Sequence, residues 1–251
     1  MEKVTTNKLQ TLKSQHQKIC MLTAYDYPFA RILDNAGVDI ILVGDSLGNV
    51  ALGYRDTLPV SLQEIIIHTQ AVSRGVETAL VVADMPFGSY QESADKALSN
   101  AIQLAKAGAE AVKIEGAEYL PAIKKIIKAG IPVMGHVGFT PQSVNQLGGY
   151  HKQGKTKASA QKIIKDAKAL EKAGCFAIVL EMIPDELAKK VTKSLKIPTI
   201  GIGAGKNCCG QVLVTSDLVG LSEWSPSFAK PKANLRNIIS KAVKDFISEY
   251  C

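Results

Sequence analysis

Residues 79–115 read ALVVADMPFGSYQESADKALSNAIQLAKAGAEAVKIE, and one structural unit can be read from them. Ala79 to Ala83 is an unbroken apolar run, Ser93 to Ala107 repeats apolar positions at helical spacing, and Ala111 to Ile114 is apolar again but for Lys113. A strand apolar on both faces is one buried on both faces, as in a parallel sheet, and the helix between two such strands is their crossover. Gly108, following Ala107, accepts the left-handed conformation that ends a helix. The stretch predicts a βαβ unit.

The pattern repeats on either side. Runs of the same kind occupy Ile19 to Thr23, Ile40 to Gly44, Pro132 to Gly135, Phe176 to Leu180, Thr199 to Ile202 and Val212 to Val214, making eight in all. Helical stretches separate them at Tyr27 to Asn35, Ser61 to Arg74, Tyr119 to Lys128, Ala158 to Lys172 and Asp185 to Lys196, several again ending in Ala-Gly. Pro132 and Pro198 sit at strand starts, where no ladder donor is lost. Residues 1–17 read as an N-terminal capping helix and 234–249 as a closing helix. With 251 residues and no linker or low-complexity segment, the expectation is an α/β protein made of one domain, 1–251, folded as a single (β/α)8 TIM-type barrel. A doubly wound open sheet is the alternative.

Composition narrows the function classes. Hydrophobic residues make up 46% and charged residues 21%, which excludes a disordered chain. Five cysteines without C-x-x-C spacing read as reduced thiols rather than a disulfide framework. The net charge of +7 is spread over lysine-rich stretches that lack interleaved aromatics, so they read as solvated helix faces and no nucleic-acid partner is expected. The longest apolar runs are far short of the roughly 18 residues a membrane span needs, and Met-Glu-Lys-Val lacks a leader's apolar segment. A cytoplasmic protein with small-molecule substrates is expected.

Polar groups recur where the apolar runs stop: Asp45-Ser46, Asp84, Lys113 with Glu115, His136 and Glu181. One acid at such a position reads as a helix cap; five successive strand ends read as one pocket at the face where barrel enzymes work. Asp45, Asp84 and Glu115 are oxygen donors with no cysteine or second histidine beside them, a set that suits Mg²⁺. A salt-bridge cluster with Lys113 and Arg55 is the alternative reading. Gly201 to Gly205 reads as a tight turn at the barrel mouth, since it lacks the Lys-Ser/Thr of a P-loop. His68 and His151 belong to no constellation. The long segment Val137 to Lys157 is expected to cover the pocket.

Six ordered blocks carry a family resemblance: Met21 to Asp26, Val43 to Gly48, Asp84 to Tyr90, Val112 to Gly116, Gly135 to Gln142 and Gly201 to Gly205. The chain resembles the ketopantoate hydroxymethyltransferases, which transfer a one-carbon unit from 5,10-methylenetetrahydrofolate to 3-methyl-2-oxobutanoate. The resemblance implies Mg²⁺ held by Asp45, Asp84 and Glu115, the keto acid held by Asp45, Ser46, Asp84 and Lys113, and Glu181 as the proton acceptor. His136 is expected to donate to the substrate or to a metal-bound water. The resemblance further implies a homo-oligomer, a decamer. Cys209 stands where the family pattern has Asp. An Mg²⁺-dependent lyase or mutase resembling phosphoenolpyruvate mutase is the alternative enzyme, and a carboxylate-binding protein without catalysis the non-enzymatic one.

Overall fold

A computed structural model describes residues 2–251. Eight strands run in parallel and close into a barrel in sequence order: β1 Ile19–Thr23, β2 Ile40–Val43, β3 Leu80–Asp84, β4 Ala111–Glu115, β5 Val133–Gly138, β6 Ala177–Glu181, β7 Thr199–Ile202 and β8 Gly210–Leu213. The (β/α)8 reading therefore holds. Closure joins the first and last strands through the Ile19 N–H donating to the Cys209 carbonyl at 3.1 Å. The central strands are buried along their whole length, β2, β3 and β4 without an exposed position, as their continuous apolar runs require.

Caps chosen by the sequence set the helix limits. Ser61, Ser93 and Thr156 each accept from a backbone N–H three residues on and stand just outside Leu62–Gly75, Ala94–Lys106 and Lys157–Ala173. Gly37, Gly108, Gly130 and Gly174 all adopt the positive φ that the Ala-Gly endings predict. At the N-terminal end of the barrel, the helix Thr6–Ser14 buries Leu9 and Leu12 in the core with Ile19, Met21, Ile40 and Ile200. It plugs the end opposite the polar strand termini.

One element differs from expectation. Strand β8 begins at Gly210, two residues before the predicted Val212, because this backbone lies so close to β1 that a Cβ here would come within 2.4 Å of the Ile19 carbonyl oxygen. Only glycine fits that approach. The crossover from β7 to β8 has no helix: seven residues, 203–209, make the whole return. A four-residue strand is about 13 Å long, and seven residues can reach about 23 Å, so an extended segment suffices.

A first compact unit runs through Val212 and a second comprises Leu213–Cys251. Within the second, the short helix Thr215–Leu218 is followed by the helix Leu235–Tyr250, which buries none of its residues. Ile238, Ile239, Val243, Phe246, Ile247 and Tyr250 are all exposed on it. Among the described residues, no helix is long and apolar enough to cross a membrane.

Candidate active site

Register brings the polar strand ends together. Asp84 of β3 is paired with Lys113 of β4, and Glu115 of β4 with His136 of β5. Register partners share a sheet face, as do residues two apart along a strand, so Asp84, Lys113, Glu115 and His136 point to one side. That side is the barrel interior, and none of the four is more than 5% exposed. Asp45, in the turn after β2, is buried beside them.

Lys113 is the hub of the charges. Its Nζ donates to Asp84 Oδ1 at 2.5 Å and stands 3.9 Å from Glu115 Oε1. Asp84 Oδ2 accepts from the Asp45 backbone N–H at 3.0 Å, tying the turn after β2 to the end of β3. His136 lies between two carboxylates, Nδ1 3.4 Å from Glu115 Oε1 and Nε2 3.3 Å from Glu181 Oε2. Neither contact has hydrogen-bond alignment, so both are ion-pair approaches. Glu181 is the last residue of β6, and its carbonyl accepts from the Phe139 N–H at 2.8 Å. With 16% of its side chain exposed, Glu181 is the cluster carboxylate that a ligand can reach.

Burial and mutual charge set the protonation states. Burial penalises the charged form of Asp45, repulsion from Asp84 and Glu115 adds to it, and the carboxyl is pushed well above the usual carboxylate range. Burial also opposes ionisation of Glu115, but His136 and Lys113 outweigh it and hold that carboxyl low. The Lys113 ammonium loses hydration on burial and regains more from Asp84, Glu115 and Asp45, so its pKa rises. Burial would discharge His136; its contacts with Glu115 and Glu181 prevail and lift the imidazole to about 9. With all four acids ionised (Asp45, Asp84, Glu115, Glu181) and two cations facing them (Lys113, His136), the cluster would carry two negative charges, four minus two, without a counter-ion.

The donor set fits a hard divalent cation. Two surplus negative charges match one dication, the raised Asp45 carboxyl is a site that such an ion would return to its anionic form, and Glu115 Oε1 is buried without a hydrogen-bond partner. Among the described residues, no three His, Cys, Asp or Glu side chains converge into a cage. A site of this kind leaves much of the coordination shell to water and substrate, the habit of Mg²⁺.

Two participants, Gln142 and Tyr25, escaped the sequence reading. Gln142 is 5% exposed, in the short 3₁₀ turn Pro141–Ser143 after β5, and joins three strand ends. Its Nε2 donates to Asp45 Oδ2 at 2.8 Å and to the Met85 carbonyl at 3.0 Å, its Oε1 accepts from Tyr90 Oη at 2.7 Å, and its backbone N–H donates to Glu115 Oε2 at 3.0 Å. Tyr25 shares a 2.8 Å hydrogen bond with Ser46 Oγ, and burial raises its phenol pKa, so the ring oxygen stays neutral. The segment expected to cover the pocket thus supplies part of its floor, while farther along it Tyr150 rests on the buried Phe139 with ring centroids 5.0 Å apart. His68 Nδ1 lies 2.5 Å from the Tyr25 carbonyl and His151 Nε2 3.1 Å from the Gly148 carbonyl; neither is in the cluster. Cys209 is at the N-terminal end of β8, its backbone N–H donating to Thr199 Oγ1 at 3.3 Å, away from the acids.

Comparison with known proteins places this geometry in a lineage. Residues 3–250 match the model of the ketopantoate hydroxymethyltransferase family. The 3-methyl-2-oxobutanoate hydroxymethyltransferase of Thermoanaerobacter sp. (strain X514) is 54% identical over 251 residues, covering 99% of this chain and 92% of that protein. The enzyme of that name from Acaryochloris marina (strain MBIC 11017) is 55% identical over 249 residues, covering 98% of this chain and 96% of that protein. Among solved structures, a phosphonopyruvate hydrolase complex with oxalate and Mg²⁺ aligns with a TM-score of 0.66 at 14% identity, over 99% of this chain and 87% of that one. A 2,3-dimethylmalate lyase aligns with a TM-score of 0.64 at 15% identity, over 99% and 87%. At these identities the structural likeness is one of fold.

Proposed function

The chain belongs to the ketopantoate hydroxymethyltransferase family and is a transferase that passes a hydroxymethyl group to 3-methyl-2-oxobutanoate; on that premise we propose how its buried acid cluster performs the reaction. The observation that carries the proposal is the separation of roles across the barrel mouth. Asp45, Asp84 and Lys113 gather charge under β2 to β4, and Glu181 stands on β6 with part of its carboxylate open to a ligand.

Asp45 and Asp84 would hold Mg²⁺, with Glu115 as a third or water-mediated partner. When bound, the ion supplies Lewis-acid polarisation of the substrate's 2-oxo group. Lys113 pairs with the substrate's carboxylate or its developing enolate oxygen, and being a buried ammonium already committed to Asp84 it needs no reorganisation to do so. Ser46, oriented by the Tyr25 hydroxyl, donates to the substrate carboxylate. Glu181 takes the C3 proton, the enolate carbon forms a C–C bond to the methylene carbon of 5,10-methylenetetrahydrofolate, the proposed one-carbon donor, and both C–N bonds of that carbon break, with water supplying the new hydroxyl and tetrahydrofolate leaving with the released protons on its nitrogens. His136 has both ring nitrogens against carboxylates. It therefore acts as a positioning residue for Glu181 and Glu115 rather than as the base, a different placement from the expected contact with substrate.

The exposed apolar residues of Leu235–Tyr250 support a homo-oligomer, for which a decamer is the expected form. Five free cysteines support a reducing, cytoplasmic setting. The function is tested by incubating the protein with 3-methyl-2-oxobutanoate, 5,10-methylenetetrahydrofolate and Mg²⁺ and following the hydroxymethylated keto acid. Product should appear only with the folate and should stop on chelation; product without folate, or turnover indifferent to chelation, would refute the assignment of donor or metal.

A further inference from the structure

The helix missing between β7 and β8 leaves a cleft. It lies at the N-terminal end of the barrel, opposite the acid cluster, with a volume of about 420 Å³, in the range of small-molecule sites. One wall is the end of the helix Asp185–Ser194, another is the turn after the first helix, and the third is the returning segment 203–209.

The charge of this cleft has one sign. Lys13, His16, Lys18 and Lys193 line it, no acidic residue does, and none of the four forms an ion pair among the described residues. Lys13 Nζ is fixed by the carbonyls of Leu195 at 2.9 Å and Ile197 at 2.7 Å, and Lys18 Nζ by those of Cys208 at 2.6 Å and Lys206 at 3.2 Å. Each ammonium has three N–H groups, so each keeps one donor and its whole charge for something else. Two flexible lysines held in place by carbonyls, without a carboxylate, form a pre-ordered anion receptor.

A second observation is independent of charge. The first helix ends in a Schellman turn, with the His16 N–H on the Lys13 carbonyl at 3.0 Å and the Gln17 N–H on the Leu12 carbonyl at 2.9 Å. His16 occupies the left-handed position at φ 57, where four other helix ends of this chain place glycine. Its imidazole is exposed and has no hydrogen-bond or ion-pair partner among the described residues, which leaves it available to a ligand in the cleft. The same imidazole lines the cleft beside the two fixed ammonium groups.

We propose that this cleft is a second binding site, distinct from the catalytic one, for a small phosphomonoester. A dianionic phosphate with its several acceptor oxygens matches the spare donors of Lys13 and Lys18, the charge of Lys193 and the imidazole of His16 better than a monocarboxylate does. The apolar side chains of Leu195 and Cys208 complete the wall and would contact the organic body of the ester.

The test is calorimetric titration of the intact enzyme with glycerol 3-phosphate, and with inorganic phosphate to isolate the anion's share, each repeated with saturating 3-methyl-2-oxobutanoate. Saturable binding of glycerol 3-phosphate is expected, unaffected by the keto acid and weakened at least about fivefold in Lys193→Glu and in His16→Gly. His16→Gly should leave Tm of the ligand-free protein unchanged or higher, since glycine relieves the left-handed strain. No binding, displacement by the keto acid, or full affinity in both variants would overturn the proposal. So would a His16→Gly protein whose Tm falls by more than about 3 °C, since His16 would then be serving the turn itself.

Discussion

Gln142→Leu tests whether the acid cluster is held together by an uncharged residue. Leucine keeps the volume and the backbone N–H to Glu115, and removes only the side-chain amide. Three buried groups then lose a partner: Asp45 Oδ2 at 2.8 Å, the Met85 carbonyl at 3.0 Å and the Tyr90 hydroxyl at 2.7 Å. Leaving a buried group unsatisfied costs about 1–3 kcal/mol, and Tyr90 Oη keeps a weaker contact with the Glu115 carbonyl at 3.4 Å. Allowing for non-additivity and for the apolar gain of leucine, the loss should be about 3 kcal/mol, or about 6–12 °C in Tm for a chain of this size. Because the amide also orients Asp45, Mg²⁺ affinity should fall about 10- to 100-fold. Thermal unfolding in metal-free buffer and Mg²⁺ titration measure the two effects. In a double-mutant cycle, Tyr90→Phe should cost less in the Gln142→Leu background than in wild type. A Tm within about 2 °C of wild type together with unchanged Mg²⁺ affinity would refute the bridging role.

Replacing Lys113 with methionine removes a buried cation from among four acids; stability should drop by about 3–5 kcal/mol without metal, and added Mg²⁺ should restore more of it than in wild type, as read by Tm with and without the ion. His136 gives a pH signature. Its folded pKa of about 9 lies above the ordinary 6.5, so its contribution to stability is complete below about pH 6.5 and is lost as pH rises through about 9. Urea unfolding of metal-free wild type and His136→Asn should therefore show a stability gap that narrows from pH 6 to pH 10; a constant or widening gap contradicts the imidazolium. Tyr25→Phe deletes one neutral hydrogen bond to Ser46, worth about 1 kcal/mol, and should lower kcat/KM about fivefold without changing Tm by more than a few degrees.

The barrel was legible because its strands are buried on both faces, which forces the near-continuous apolar runs that mark them off from the helices. The charged members of the site were legible for a related reason: Asp84 and Glu181 end such runs and Lys113 interrupts one, where an ion would be costly unless it served a pocket. Gln142 and Tyr25 carry no such mark. A neutral amide or phenol in a loop is ordinary, and its importance arises from distant pairings, Gln142 to Asp45 across 97 positions and Tyr25 to Ser46 across 21. The seventh crossover holds no helix, in keeping with the absence of any helical stretch between Ile202 and Val212 in the sequence and with the tight turn read at Gly201 to Gly205. The start of β8 was missed because Gly210 reads as a break, whereas close contact with β1 demands it.

The central claim is that Glu181 is the base while Asp84, Lys113 and their neighbours bind the substrate. Exchange of the C3 proton of 3-methyl-2-oxobutanoate in D₂O, followed by NMR with Mg²⁺ and without folate, isolates that step from one-carbon transfer. Wild type should exchange the proton, and Glu181→Gln should bind the keto acid nearly as well yet exchange it at least about 100-fold more slowly. Exchange at the wild-type rate in Glu181→Gln would contradict the account and move the base to another residue of the cluster.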